Sequence, residues 1–161
     1  MSSLLIPIQM RFGDIDSYGH VNNVTMLQYL EDARVRLMAR PLPGGAAGGV
    51  PERATFRTLL GDRMTVIGRQ EVEYTEQLLY RAEPVSVRVW VSAVGGSSFV
   101  LDYAVQEEDG SRVYAVAQTV VVVIDRDSGR PVRLDDTQRS LLEQWSDAPT
   151  RFARRPAPAE A

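Results

Sequence analysis

Five β-branched residues in a row, VVVVI at positions 120–124, demand more cover than the rest of the chain readily offers. Successive side chains of a strand point to opposite faces, so this run places apolar groups on both sides of its sheet, and both sides must be buried. Further strand patterns surround it. TVIGRQEVEYT (65–75) is one, and PVSVRVWVSAV (84–94) is the clearest, with Val85, Val87, Val89, Val91 and Ala93 on one face. Gly95-Gly96 leads into SSFVLDYAVQEE (97–108), and Asp109-Gly110 is a hairpin signal before RVYAVAQTVVVVID (112–125), which makes these three strands an antiparallel meander. Residues 4–12 alternate loosely as a first strand ending at Gly13. Against these strands stands one long segment of helical period, from Val24 to about Arg40. Its Met26, Leu27, Leu30, Ala33 and Leu37 share a face that Glu31, Asp32, Arg34 and Arg36 largely avoid. One helix and a sheet of about five strands bury each other when the sheet wraps the helix, an α+β arrangement, with a second copy or the C-terminal segment covering the other face.

The helix stops where PLPGGAAGGVP (41–51) begins, a loop inside one domain, because too little sequence precedes it to form a core of its own. TQRSLLEQW (137–145) reads as a short terminal helix. The chain is thus expected to form one domain over residues 1–145, followed by a disordered tail at 146–161, rich in Pro, Ala and Arg.

Composition removes several chemistries. With no cysteine there is no thiolate nucleophile and no Cys-ligated metal, and a single histidine excludes a multi-histidine metal site within one subunit. A net charge of -3 and the lack of a basic stripe ahead of the tail give no footprint for nucleic acid. No stretch approaches the roughly 20 apolar residues of a membrane span, and the first residues lack the pattern of a signal peptide, so a cytoplasmic location without membrane insertion is expected. All 18 basic residues are arginine, so any side-chain cation that meets an anion is a guanidinium.

The chemistry concentrates in FGDIDSYGHVNN (12–23), which holds two aspartates, the lone histidine, two glycines and two asparagines. Asn22 or Asn23 suits the cap of the helix that follows, since a short polar side chain accepts from the orphan NH groups of the first turn. Asp14 and Asp16 both serve a turn by residue type. Gly19 serves backbone geometry or close approach of a ligand. His20 suits loop hydrogen bonding or substrate positioning; Ser17, three residues before it, has no nucleophile-elbow motif to make a triad.

RFGDIDSYGHVNNVTMLQYLEDAR resembles the signature of the hotdog-fold acyl-CoA thioesterases of the 4-hydroxybenzoyl-CoA thioesterase branch, a D-x-D-x-x-G-H-V-N-N loop running into the central helix and on to E-x-A-R. The likeness extends more weakly from Arg11 to Asp125. It implies the hotdog fold, a homodimer or homotetramer, and hydrolysis of an acyl-CoA thioester without metal or cofactor. In that family's pattern Asp16 is the nucleophile or general base, and the helix NH near Asn23 forms the oxyanion hole. Gly19, His20, Asn22, Met26 and Leu27 then fall to substrate binding, and the acyl pocket has Met26, Leu27 and Leu30 as its floor between subunits. Met26 departs from the pattern, which carries an aromatic residue there, and reads either as an altered pocket wall or as a core substitution. Glu31 is a second carboxylate on the helix, or an ion-pair partner of Arg34. Arg88, Arg81 and the turn at Ser97 and Ser98 are the positional candidates for the coenzyme's phosphates. Two other readings keep the fold: an acyl carrier protein in place of coenzyme A, and a non-catalytic acyl-CoA or lipid binder.

Overall fold

The computed structural model describes residues 3–41 and 53–153. Its strands are β1 (Leu4–Ile8), β2 (Arg63–Tyr74), β3 (Val85–Val94), β4 (Ser98–Gln106) and β5 (Val113–Asp125), and its helices α1 (Asn23–Met38), α2 (Phe56–Leu59) and α3 (Asp136–Gln144). All strand pairs are antiparallel, in the order β1-β3-β4-β5-β2. This is the α+β arrangement expected from one long helix and five strands. Most of the loop at 41–51 and the end of the tail, 154–161, lie outside the described residues.

One face of the sheet packs against α1. Val85, Val87, Val89 and Val91 of β3, Leu101 and Tyr103 of β4, and Ala117, Val121 and Val123 of β5 are wholly buried there with Leu30 and Ala33 of α1. Ala93 was expected to extend this row, but a bulge between Val91 and Ala93 shifts the register and leaves it exposed. In β5 the doubly apolar run keeps an alternation in burial: Val121 and Val123 are sealed, whereas Val120, Val122 and Ile124 are half-buried on the opposite face.

The opposite face is crossed by the C-terminal segment. The NH of Val91 donates to Trp145 O at 2.8 Å and the NH of Asp147 to Val91 O at 3.0 Å, so residues after α3 continue the sheet beyond β1. The chain then turns across the sheet. Trp90 Nε1 donates to Ala148 O at 2.9 Å, the NH of Thr150 to Asp102 Oδ2 at 2.5 Å, and the NH of Ala153 to Glu73 Oε1 at 3.2 Å. A tail disordered from residue 146 is therefore corrected: residues 146–153 form a strap whose backbone answers the buried polar row Trp90 and Asp102.

The two sheet edges differ. β1 is five residues long, contains Pro7 and is prolonged by the strap, features that blunt an edge. β2 has 12 residues and no proline, and pairs with β5 on one side only among the described elements.

Candidate active site

The loop between β1 and α1 is built from two aspartates with different surroundings. Asp14 ends a 3-10 turn (Phe12–Asp14) and is buried. Its Oδ2 accepts from Tyr29 Oη at 2.6 Å and from the NH of Arg11 at 2.9 Å, and its Oδ1 accepts from Arg11 Nε at 3.2 Å. Burial pushes this carboxyl up, but the hydrogen bonds from Tyr29 and Arg11 outweigh it and hold it below its ordinary value of 3.8. The Tyr29 hydroxyl is raised in turn, by burial and by the carboxylate it donates to. The backbone carbonyl of Asp14 accepts from the NH of Asn22 at 2.8 Å and ties the start of the loop to its end.

Between those two points the chain makes a small closed turn. The NH of Asp16 donates to His20 O at 2.8 Å and the NH of Gly19 to Asp16 O at 3.1 Å, a closure that puts Gly19 at φ +82. Asp16 is half-buried, and its Oδ1 accepts from the NH groups of Tyr18 at 2.8 Å and His20 at 3.3 Å. These bonds fix the direction of the carboxylate; among the described residues its second oxygen, Oδ2, has no hydrogen-bond partner. The loop is pinned from outside at His20, which bridges Leu79, and at Val21, whose NH donates to Leu78 O at 2.8 Å. His20 thus binds the loop through its backbone.

Asn22 is the cap of α1: its side chain accepts from the NH of Val24 at 2.8 Å and its carbonyl from the NH of Met26 at 3.0 Å. The first turn of a helix has NH groups without intrahelical acceptors, and the cap answers only one of them. Asn23, exposed at the first position of α1, therefore presents its NH at the positive end of the helix dipole, on the carboxyl side of the Asp16 turn. Tyr74, at the end of β2, donates its hydroxyl to Asn23 O at 3.1 Å and holds this corner to the sheet. A fixed carboxylate followed by unanswered helix NH groups is the equipment for activating a nucleophile and for stabilising an oxyanion.

The surroundings are apolar and open. Phe12 is 77% exposed and Tyr18 83%, and Val24, Leu79 and Tyr80 are exposed beside them, with Phe12 and Tyr80 in edge-to-face contact at 5.9 Å. Exposed apolar groups gathered on one loop and the segment that pins it mark a surface that meets a ligand or another chain.

Of the remaining sequence candidates, Leu27 is half-buried on the flank of α1, while Met26 and Leu30 are sealed in the core between helix and sheet. Met26 is thus a core residue, and a pocket floor made of Met26 and Leu30 is corrected. Glu31 pairs with Arg34 at 3.4 Å. Arg88 lies on the sheet face opposite α1, bonded to Asp147 at 2.5 Å and Ser3 at 2.9 Å and stacked over Trp90 at 4.6 Å. Arg81 is engaged in two bonds to Glu107 at 2.6 and 2.7 Å. Ser97 sits in the turn after β3 and Ser98 opens β4, whereas the Asp16 loop follows β1, whose Ile8 pairs with Val85 at the start of β3. The ten residues of β3 separate the two by roughly 30 Å. Within one copy, then, neither Arg88 nor the Ser97-Ser98 turn meets the loop. Sequence reasoning missed Tyr29 and Tyr74, whose only signal was a hydroxyl on an otherwise apolar face.

A family model described as the thioesterase-like superfamily matches residues 10–142. The chain is 27% identical over 135 residues to the uncharacterized protein YsmA of Bacillus subtilis (strain 168), covering 84% of this chain and 82% of the relative. Among solved structures it superposes on a predicted thioesterase from Bacillus stearothermophilus with a TM-score of 0.72 at 24% identity, over 92% of this chain and 99% of the other. A thioesterase from Thermus thermophilus, solved with coenzyme A and zinc, gives 0.63 at 29% identity, over 86% and 95%.

Proposed function

The chain belongs to the thioesterase-like superfamily and has its hotdog fold, and from that premise we propose that it hydrolyses acyl-CoA to a free acid and coenzyme A, with Asp16 as the carboxylate of the reaction. The observation that supports this is the Asp16 side chain, oriented by the NH groups of Tyr18 and His20 and followed directly by the start of α1. As general base, Asp16 takes a proton from water as its oxygen attacks the thioester carbon. As nucleophile, it attacks that carbon itself, expels the coenzyme thiolate and leaves an anhydride for water to open. Either way the carbonyl oxygen gains negative charge, which the Asn23 NH and the helix dipole favour. Water is the only co-reactant, and no metal or cofactor takes part. The proposed location is the cytoplasm; no described helix is long and apolar enough to cross a membrane.

The unblunted edge of β2 and the apolar rim around the loop support a homo-oligomer in which a second copy closes the acyl pocket, with Leu27 on its wall. A monomer at micromolar concentration in sedimentation would overturn that assembly. The reaction itself is tested by a hydrolysis screen over acyl-CoA chain lengths with a thiol reagent, comparing wild type with Asp16→Asn. In a single turnover in isotopically labelled water, label in the Asp16 carboxylate identifies the nucleophilic route with water attacking the Asp16 carbon of the anhydride.

A further inference from the structure

Between α1 and the sheet, two buried hydroxyls have no hydrogen-bond partner among the described residues: Oη of Tyr103 in β4 and Oγ1 of Thr119 in β5. Both residues are wholly buried. The register makes them neighbours. Tyr103 pairs with Ala117, so Thr119, two residues further along β5, lies on the same α1-facing side at the diagonal position. Other buried polar side chains are answered, Asp14 by Tyr29, Asp102 by Ser92 and Gln138 by Leu59 O. Buried polar groups are paired as a rule, and two adjacent exceptions need a reason.

The third polar group at this point is Arg34. It is buried on α1, its guanidinium neighbours the Tyr103 hydroxyl, and its ion pair is with Glu31 at 3.4 Å, whose side chain is 66% exposed. The guanidinium thus stands between a solvent-facing carboxylate, held at long range, and the two hydroxyls. Burial pushes the Tyr103 hydroxyl up, against the pull of Arg34, so it keeps its proton and can donate. A guanidinium has only donors, and both hydroxyls can donate, so the three share a need for an acceptor. Water brings donors of its own. A carboxylate only accepts, and it also answers the charge.

Arg34 stands on the flank of α1 that begins at the proposed oxyanion site. Asn23, Leu27, Leu30 and Arg34 follow the i, i+4, i+7, i+11 spacing of one helix stripe. Roughly 16 Å of helix separates the first from the last, and a long side chain on a helix leans back toward the N-terminus, which carries the guanidinium toward Leu27.

We propose that Arg34, backed by Tyr103 and Thr119, receives a carboxylate at the far end of the acyl group, so that the substrate class is the monothioester of a long-chain dicarboxylic acid. This rests on the reading of the chain as an acyl-CoA hydrolase and adds to it the identity of the acyl tail. The thioester carbon lies at the start of α1, the chain runs along the flank past Leu27, and the terminal carboxylate takes the guanidinium fork that Glu31 meets at 3.4 Å. The hydroxyls of Tyr103 and Thr119 donate from behind. A neutral tail at the same point desolvates the guanidinium without answering it, so a plain acyl chain of that length is selected against.

The test uses ω-carboxyacyl-CoA thioesters of increasing length, each matched with its ω-methyl ester and with the plain acyl-CoA. For wild type at the best length, kcat/KM for the ω-carboxy substrate is expected to exceed that for the methyl ester at least about tenfold, the scale of one charged hydrogen bond. Plain or esterified chains used as well at every length overturn the proposal. In Arg34→Gln the ratio falls toward one, and Arg34→Lys, which keeps the charge and loses the fork, restores part of it. Tyr103→Phe separates a subsite from a structural role. Removing a hydroxyl without a partner leaves the melting curve unchanged or raised and, if the group is merely structural, leaves the ratio unchanged too; the proposal expects the ratio to drop by a factor of a few. A ratio that survives either Arg34→Gln or Tyr103→Phe overturns it. Hydrolysis that is absent for every wild-type substrate overturns the acyl-CoA hydrolase reading instead. Calorimetry with the non-hydrolysable thioether analogues then still judges the subsite, since the ω-carboxy analogue must bind at least about tenfold tighter than its methyl ester, and equal Kd values overturn the proposal.

Discussion

The inner half of the Phe12–Asn23 loop and its outer half are made of the same residue types and are held in opposite ways. Asp14, two residues before Asp16, is enclosed by Tyr29 and Arg11 and has its carboxylate engaged at both oxygens. Asp16 receives only backbone NH groups from its own turn, all at one oxygen, and stays half-open to solvent. A carboxylate with both oxygens answered is an anchor, whereas one oriented at a single oxygen retains a site for chemistry. The lesson is that function within this motif follows from unanswered hydrogen-bonding capacity rather than from residue type.

The largest expected effect tests the outer half. Asp16→Asn keeps the shape of the turn and removes the charge, and a general base is worth on the order of 10²- to 10⁴-fold in rate, so turnover should fall by at least the lower figure while the melting curve stays close to wild type. If turnover stays within a factor of a few, the asymmetry between the two aspartates is not the basis of catalysis, and Glu31 becomes the carboxylate to test.

Asp14→Ala should show the reverse pattern. It strands the Tyr29 hydroxyl and the Arg11 NH beneath the loop, at a cost of about 3 kcal/mol in urea unfolding. The Arg11 side chain contributes little, because it is 75% exposed and screened by solvent. The same residue gives a pH test. Its folded carboxyl lies below the ordinary value of 3.8, so the unfolded state takes up the proton first as pH falls. The stabilisation is complete above that value and is lost as pH drops through the lower folded one. Wild type should therefore lose stability below pH 3.8 more steeply than Asp14→Asn, and equal slopes would mean that the buried carboxylate is not the anchor.

Tyr29→Phe removes one donor and leaves the Arg11 bonds in place, for about 1.5 kcal/mol. The smallest effect is reserved for the turn. A Cβ on Gly19 meets no atom within 4 Å, so Gly19→Ala is charged only with its positive φ, about 1 kcal/mol. A larger loss on unfolding would show that the turn is packed more tightly than its open surroundings indicate.

Local chemistry made much of this legible from the residues in order. The change from period 2 to helical period located α1 to within a few residues of Asn23–Met38, and the asparagine pair named its cap. Elsewhere the pattern misled for identifiable reasons. Ala93 continues the alternation of β3, and only the pairing partner across the sheet shows the bulge that turns it outward. Arg88 is a phosphate candidate by position alone, and the carboxylate that engages it, Asp147, lies 59 positions away, beyond any local pattern. The proline and arginine content of the tail hid a strap held by backbone donors, which composition does not encode.

The sequence by itself determined the long helix, the meander of three strands and the loop motif, because caps, turns and periodicity act over a few residues. Tertiary structure alone decided which aspartate is sealed, which arginines are neutralised and which sheet edge stays open. Those outcomes depend on partners such as Tyr29 for Asp14, Glu107 for Arg81 and Asn23 for Tyr74, brought together from 15, 26 and 51 positions apart. A side chain's charge is written in the chain, but whether that charge is answered depends on what folding places beside it.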